Sequence, residues 1–149
     1  MLELLSLLVI VAPLGLFIHE FGHIVFGLWF GTDRSTLVIG SGRMILSKRF
    51  GKLTLQLNLL FFIGGYSFNE KQVAFNPWQQ AWISLGGPLL NITFAAGLFI
   101  SDLIQYGQIL QLLFWFNLYL SLVNMIPFRT KERESDGFRF LKGLKQVVG

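Results

Sequence analysis

Residues 14–30 read Leu14-Gly15-Leu16-Phe17-Ile18-His19-Glu20-Phe21-Gly22-His23-Ile24-Val25-Phe26-Gly27-Leu28-Trp29-Phe30. They close an apolar run that begins at Leu2, apart from Glu3, Ser6 and the cluster His19, Glu20, His23. A membrane-crossing helix needs about 20 predominantly apolar residues, and this run has enough. It lacks the basic leader and small-residue cleavage pattern of a signal peptide, and it stays apolar well past a signal's length. It therefore reads as a span, over about residues 2–30. Three ionisable groups within one span are costly, and such groups default to function.

Two further runs qualify as spans. One covers residues 81–101, with Ser84, Asn91 and Thr93 as polar interruptions. The other covers residues 109–128, interrupted by Gln111, Asn117, Ser121 and Asn124. Composition agrees: 53% of the 149 residues are hydrophobic and 13% charged, against about 25% charged in soluble domains. Mean hydropathy is +0.60. Sixteen Phe and four Trp exclude a disordered chain. The absence of cysteine excludes a disulfide scaffold, a Cys-ligated zinc site, an iron–sulfur cluster and a thiol nucleophile. The expected fold is membrane α-helical, with three transmembrane helices in a single domain over residues 1–149.

The twelve Lys and Arg occupy two places. Arg34, Arg43, Lys48, Arg49, Lys52 and Lys71 lie between spans one and two; Arg129, Lys131, Arg133, Arg139, Lys142 and Lys145 follow span three. Cytosolic loops carry the excess of Lys and Arg. The expected placement is a multi-pass protein of the cell membrane, N-terminus outside and C-terminus cytosolic. Trp29, Trp78 and Trp82 then fall at a cytosolic aromatic belt, and Tyr106 at the outer one. The basic excess implies contact with the lipid bilayer, and no nucleic acid.

The connection over residues 31–80 is too long to be a plain loop. Leu53, Leu55, Leu57 and Leu59 alternate with Thr54, Gln56 and Asn58, the period of a half-buried strand. Leu37-Val38-Ile39 and Met44-Ile45-Leu46 flank Gly40-Ser41-Gly42, and Arg49-Phe50-Gly51-Lys52 offers a turn. A small membrane-associated antiparallel sheet of two to four strands is expected over about 36–66. The alternating stretch from Leu53 to Leu59 is its candidate edge for an added peptide strand.

His19 and His23 are the chain's two histidines, and at i and i+4 they share a helix face. That spacing suits one zinc per chain, with Glu20 beside it as general base toward an activated water. The distance from His23 to Asp33, where the span has ended, is about 15 Å at the helical rise, so the metal would lie inside the hydrocarbon region. Catalytic zinc keeps three protein ligands and an open position. The carboxylates available beyond span three are Glu132, Glu134 and Asp136. Asp136 begins an amphipathic helix over about 137–148, with Phe138, Leu141, Leu144 and Val148 opposite Arg139, Lys142 and Gln146. Glu132 and Glu134 sit in a charged run. Asn117, Ser121 and Asn124 recur at i, i+4, i+7. Asn117 and Ser121 read as interhelical hydrogen-bonding groups, whereas Asn91 and Asn124 are candidate substrate-binding residues.

These motifs together resemble the site-2 protease family of intramembrane zinc metalloproteases. His19-Glu20-Phe21-Gly22-His23 is similar to its first-helix motif, Gly40-Ser41-Gly42 through Gly64-Gly65-Tyr66 to its reentrant β-segment, and Gly87-Pro88-Leu89-Leu90-Asn91 to its second-helix motif. Asn124-Met125-Ile126-Pro127 with Asp136-Gly137 resembles its Asn-x-x-Pro…Asp-Gly element, although Phe128 to Ser135 is longer and more charged than usual. The resemblance implies a minimal three-span core and Asp136 as third zinc ligand. It also implies cleavage of a membrane protein or small membrane-inserted peptide near the cytosolic face. A catalytically idle relative with an immunity or chaperone role is the alternative, against which the intact Glu20 speaks. A metal transporter would want further intramembrane carboxylates or histidines, which spans two and three lack.

Overall fold

The computed structural model describes residues 2–131 and 133–148. The chain runs α1 (Leu2–Ser6), a π-helical turn (Leu7–Val11), α2 (Ala12–Trp29), β1 (Arg34–Phe50), β2 (Leu53–Glu70), α3 (Pro77–Ile100), a 3-10 turn (Leu103–Tyr106), α4 (Gln108–Met125) and α5 (Asp136–Val148). α1, the π turn and α2 form one continuous rod. The π turn lies just before Pro13, whose ring has no N–H to return to the preceding turn. Three helices are long and apolar enough to cross a membrane: Glu3–Trp29, Pro77–Ile100 and Gln108–Met125.

Local chemistry moves the ends of two spans from their expected places. α3 starts at Pro77 instead of Ala81 because Asn76 caps it: its side chain accepts from the Gln79 N–H, and the Gln79 side chain answers the Asn76 N–H. α4 stops at Met125 instead of Phe128. Pro127 disfavours helical backbone at Ile126, which is extended at φ −64°, ψ 121°.

The helices close on one another through small residues. A Cβ on Gly22 of α2 would strike the Gly86 carbonyl of α3, and one on Gly86 would come 2.5 Å from the Gly22 carbonyl oxygen. Burial of apolar area does not drive association in lipid, so this close backbone approach is the available source of packing energy. Apolar clusters flank the contact: Val11, Leu98 and Leu113 on one side, and Ile24, Leu37 and Ile39 on the other. Large apolar side chains remain on the outer surfaces, among them Ile100 at 80% and Trp115 at 64% exposure.

β1 and β2 form the expected sheet, longer than 36–66 and folded on itself. Phe50–Leu53 back to Leu46–Leu57 pair as a hairpin, and Arg34–Glu70 to Ile39–Gly65 pair antiparallel again. Between them, Ser35–Leu53 to Ile39–Leu57 advance in the same direction along both strands. Each strand therefore contributes two segments, and the bend of β1 falls at Gly40, at φ +86° with Phe61 and Leu60 backbone against the position of a Cβ. This register corrects one expectation. Leu53 to Leu57 is paired on both sides and is no edge; the segments with a partner on one side only are Leu46–Phe50 and Gly65–Glu70.

α5 packs on the start of α3. A Cβ on its Gly143 would touch the Pro77 carbonyl and Ala81, and Phe140 meets Trp82 edge-on at 6.2 Å. Leu141, on the apolar face expected at the membrane interface, is 43% exposed.

Candidate metal centre

Helix geometry sets His19 and His23 one turn apart on α2, and two hydrogen bonds orient their rings. His19 Nδ1 lies 2.6 Å from Asn91 Oδ1, and His23 Nδ1 lies 2.8 Å from the Ile83 carbonyl oxygen. Both acceptors require the proton on Nδ1, so in the neutral imidazoles both Nε2 lone pairs are free for a metal. The Gly87 N–H also lies 3.3 Å from His23 Nδ1, but a protonated Nδ1 cannot accept from it, and the shorter Ile83 contact decides the tautomer. Gly87 makes room for the pair: a Cβ there would sit 2.5 Å from His23 Nε2 and 2.9 Å from His19 Cε1.

Asp136 arrives from the far end of the chain at the first turn of α5. Its Oδ2 is 3.0 Å from His19 Nε2 and 3.6 Å from His23 Nε2, and the two Nε2 atoms are 3.3 Å apart. A tetrahedral zinc with bonds of about 2.0–2.1 Å places its ligand atoms about 3.3 Å from one another. The three observed separations bracket that value, and the donor set of two imidazoles and one carboxylate suits zinc. Among the described residues these three form the cluster able to hold a metal ion. Glu134 is not in it; Arg129 and Lys142 hold its carboxylate 3.5 and 3.4 Å away. Glu132 lies outside the described residues.

Asp136 is set by the residue before it. Ser135 Oγ donates to the Ile126 carbonyl and accepts from the N–H groups of Phe128 and Phe138, while the Ser135 N–H bonds the Phe128 carbonyl. One hydroxyl thus ties the end of α4 to the start of α5 across the long insertion.

Glu20 is buried beside the triad, and its Oε2 accepts from Ser67 Oγ at 2.6 Å. Ser67 belongs to the Gly65–Glu70 segment, which runs along α2. Asn69 of that segment donates to the His23 carbonyl and accepts from Ser35. Alternation predicts this pattern in Tyr66-Ser67-Phe68-Asn69, but with the faces exchanged. The polar side chains point to the protein, and Tyr66 and Phe68 are exposed and stacked on each other. Neither Ser67 nor Ser135 is singled out by the sequence.

The two asparagines expected to touch substrate are placed differently. Asn91 is fully buried behind His19, with its amide nitrogen donating to the Gly15 carbonyl and Asn117 Oδ1. It orients the ring and does not line the cleft. Asn124 does line it, while donating to the Leu120 carbonyl of its own helix. Ser121 donates to the Pro88 carbonyl, the interhelical bond expected of it. The cleft holds about 600 Å³ and is bounded by His19, Glu20, His23 and Asp136 at its floor, the Gly65–Asn69 segment on one wall and α5 on another.

Over 108 aligned residues the chain is 27% identical to a protein of Treponema pallidum (strain Nichols) named "Putative zinc metalloprotease". That alignment covers 58% of this chain and 24% of the relative, so the chain spans about a quarter of the length of the protein it matches. The family model described as Peptidase family M50 matches residues 4–107. That match takes in the three histidine-motif residues, the whole sheet, and the glycine and asparagine of α3 behind the rings. Asp136 lies beyond it. With three apolar helices and the two histidines assembled around a metal-sized gap, this multi-pass membrane chain belongs to peptidase family M50, the site-2 protease family of metalloproteases.

Proposed function

We propose that the chain is a zinc-dependent intramembrane endopeptidase. It hydrolyses a peptide bond in or near a transmembrane segment of a membrane protein or small membrane-inserted peptide. The observation that carries this reading is the set of three donor atoms within 4.8 Å of one another, with the buried Glu20 carboxylate beside them. His19 Nε2, His23 Nε2 and Asp136 would hold one zinc per chain. Zinc, when bound, supplies a Lewis acid that acidifies water and polarises a carbonyl. Glu20 takes the proton from water in the cleft and returns it to the leaving amine, and Ser67 keeps its carboxylate aimed.

A helical peptide bond hides its carbonyl, so substrate must unwind, and each freed backbone group in lipid costs several kcal/mol unless repaired. The one-sided segment Gly65–Glu70, not Leu53–Leu59, supplies partners for an unwound stretch beside the triad. Asn124, a polar side chain lining the cleft, is a candidate to meet it. The distribution of Lys and Arg supports a cytosolic C-terminus and cleavage near the cytosolic face.

The test is metal content and cleavage of co-expressed single-pass reporters, measured together. Glu20→Gln should keep about one zinc per chain and lose cleavage. His19→Ala, His23→Ala and Asp136→Ala should lose both, and Glu134→Ala should keep zinc. Full cleavage by Glu20→Gln would overturn the assignment.

A further inference from the structure

Asp136, Arg139, Gly143 and Gln146 all line the cleft, at spacings of three, four and three residues. One stripe of α5 therefore forms a wall that leads outward from the metal donors. From Asp136 to Gln146 it extends about 15 Å. Lys142 lines the same wall, and Arg133 joins it from the preceding loop. Against these three cations the mouth sets, among the described residues, one carboxylate, Glu134, already shared between Lys142 and Arg129. Arg133 and Arg139 are exposed and make no ion pair among the described residues. Glu20 and Asp136 lie at the floor, the first accepting from Ser67 and the second beside the histidine Nε2 atoms. The opposite wall, Gly65 to Asn69, carries no charge.

We infer that the site selects substrates whose segment leaving the catalytic floor bears acidic side chains, with Arg133, Arg139 and Lys142 as the selecting cations. This rests on the protease reading above and adds the charge class of the substrate. A guanidinium binds a carboxylate with two parallel hydrogen bonds, and a Lys or Arg flank on the substrate meets like charge instead. Membrane proteins commonly carry Lys and Arg at their cytosolic flanks, so the wall rejects the common flank and admits a minority. Anionic lipid would answer the same cations. Their place inside the cleft, facing a strand edge whose partners are peptide groups, favours a peptide.

The experiment uses the full chain carrying Glu20→Gln, loaded with zinc, in phosphatidylcholine vesicles with and without phosphatidylglycerol. Three synthetic peptides share one apolar span with a central Gly-Pro break and differ in a short flank of Asp/Glu, Gln/Ser or Lys/Arg. The acidic peptide should bind about tenfold tighter than the basic one, with the gap narrowing as salt rises. Adding Arg139→Glu and Lys142→Glu should invert that order while zinc content holds. Equal binding of the three, no binding of any, or an unchanged order after charge reversal would overturn the inference. So would vesicle phosphatidylglycerol, and not the peptide flank, responding to the reversal. Cleavage by the chain with Glu20 intact is scored separately. No cleavage of bound peptides would refute the protease reading and leave the charge preference standing. Equal cleavage of all three would do the reverse.

Discussion

His19 and His23 stand four residues apart on one helix, backed by a glycine contact and by acceptors on α3. Asp136 comes from 117 residues beyond His19 and is set by a loop whose hydrogen bonds converge on Ser135. One half of the site is held by packing within the spans, where backbone meets backbone and nothing yields. The other is held at the edge of the bundle by the Ser135 bonds and by the packing of α5, whose Gly137 lies against the Met125 backbone. Packing within the spans makes the histidine side the rigid one, and the aspartate side is completed across a loop.

The rigid side should break hardest. In Gly22→Ala the new methyl strikes the Gly86 backbone, and neither partner is a side chain that can rotate away. Overpacking of this kind costs about 1–3 kcal/mol, and α2 must shift from the acceptors of both rings. The variant should lose zinc and melt earlier in detergent. Gly97→Ala on α3, with nothing within 4 Å of the added carbon, should do neither. Equal behaviour of the two would show that the helix contact does not position the histidines.

Asn91→Ala and Ser135→Ala compare the two sides directly. Groups that orient a metal ligand are worth about 10–100-fold in affinity. Asn91→Ala should fall near the upper end, because it frees His19 and orphans Asn117 within the fully buried cluster. Ser135→Ala should fall near the lower end and also expose residues 126–135 to protease. Competition with a zinc chelator measures both. A larger loss in Ser135→Ala would reverse the comparison and make the loop the stricter holder.

The smallest effect is expected at Ser67, which touches Glu20 and none of the three clustered donor atoms. A hydrogen bond of net worth about 0.5–1.5 kcal/mol corresponds to roughly 3–10-fold in rate. Ser67→Ala should slow cleavage at saturating substrate by about that factor with zinc unchanged, and Ser67→Thr should recover most of it. A change in zinc content would move Ser67 to the scaffold.

Which features were legible in the sequence follows from how local their physics is. The three apolar runs announce themselves because hydrocarbon thickness sets a minimum length, and His19-Glu20-x-x-His23 because helical pitch alone brings i and i+4 together. The ends of α3 and α4 were misplaced by four and three residues at the apolar boundary, since apolarity does not report capping by Asn76 or the backbone restriction before Pro127. Ser67 went unnoticed because its strand presents polar groups to the protein and aromatic groups outward, the reverse of the rule for water-soluble sheets.

By itself, then, the sequence determined the solvent this chain belongs in, the number of its spans, the histidine pair and the glutamate between its members. These depend on length, composition and pitch, which act within a few turns. Tertiary structure alone decided that Asn91 stands behind a ring instead of in the cleft and that the edge beside the site is Gly65–Glu70 instead of Leu53–Leu59, and it brings Asp136, which the resemblance already implies, to the histidines in place of Glu134. Each of those depends on where segments separated by tens of residues come to rest. That is set by the glycine contact between α2 and α3, the fold-back of the sheet and the Ser135 bonds, none of which has a periodic signature along the chain.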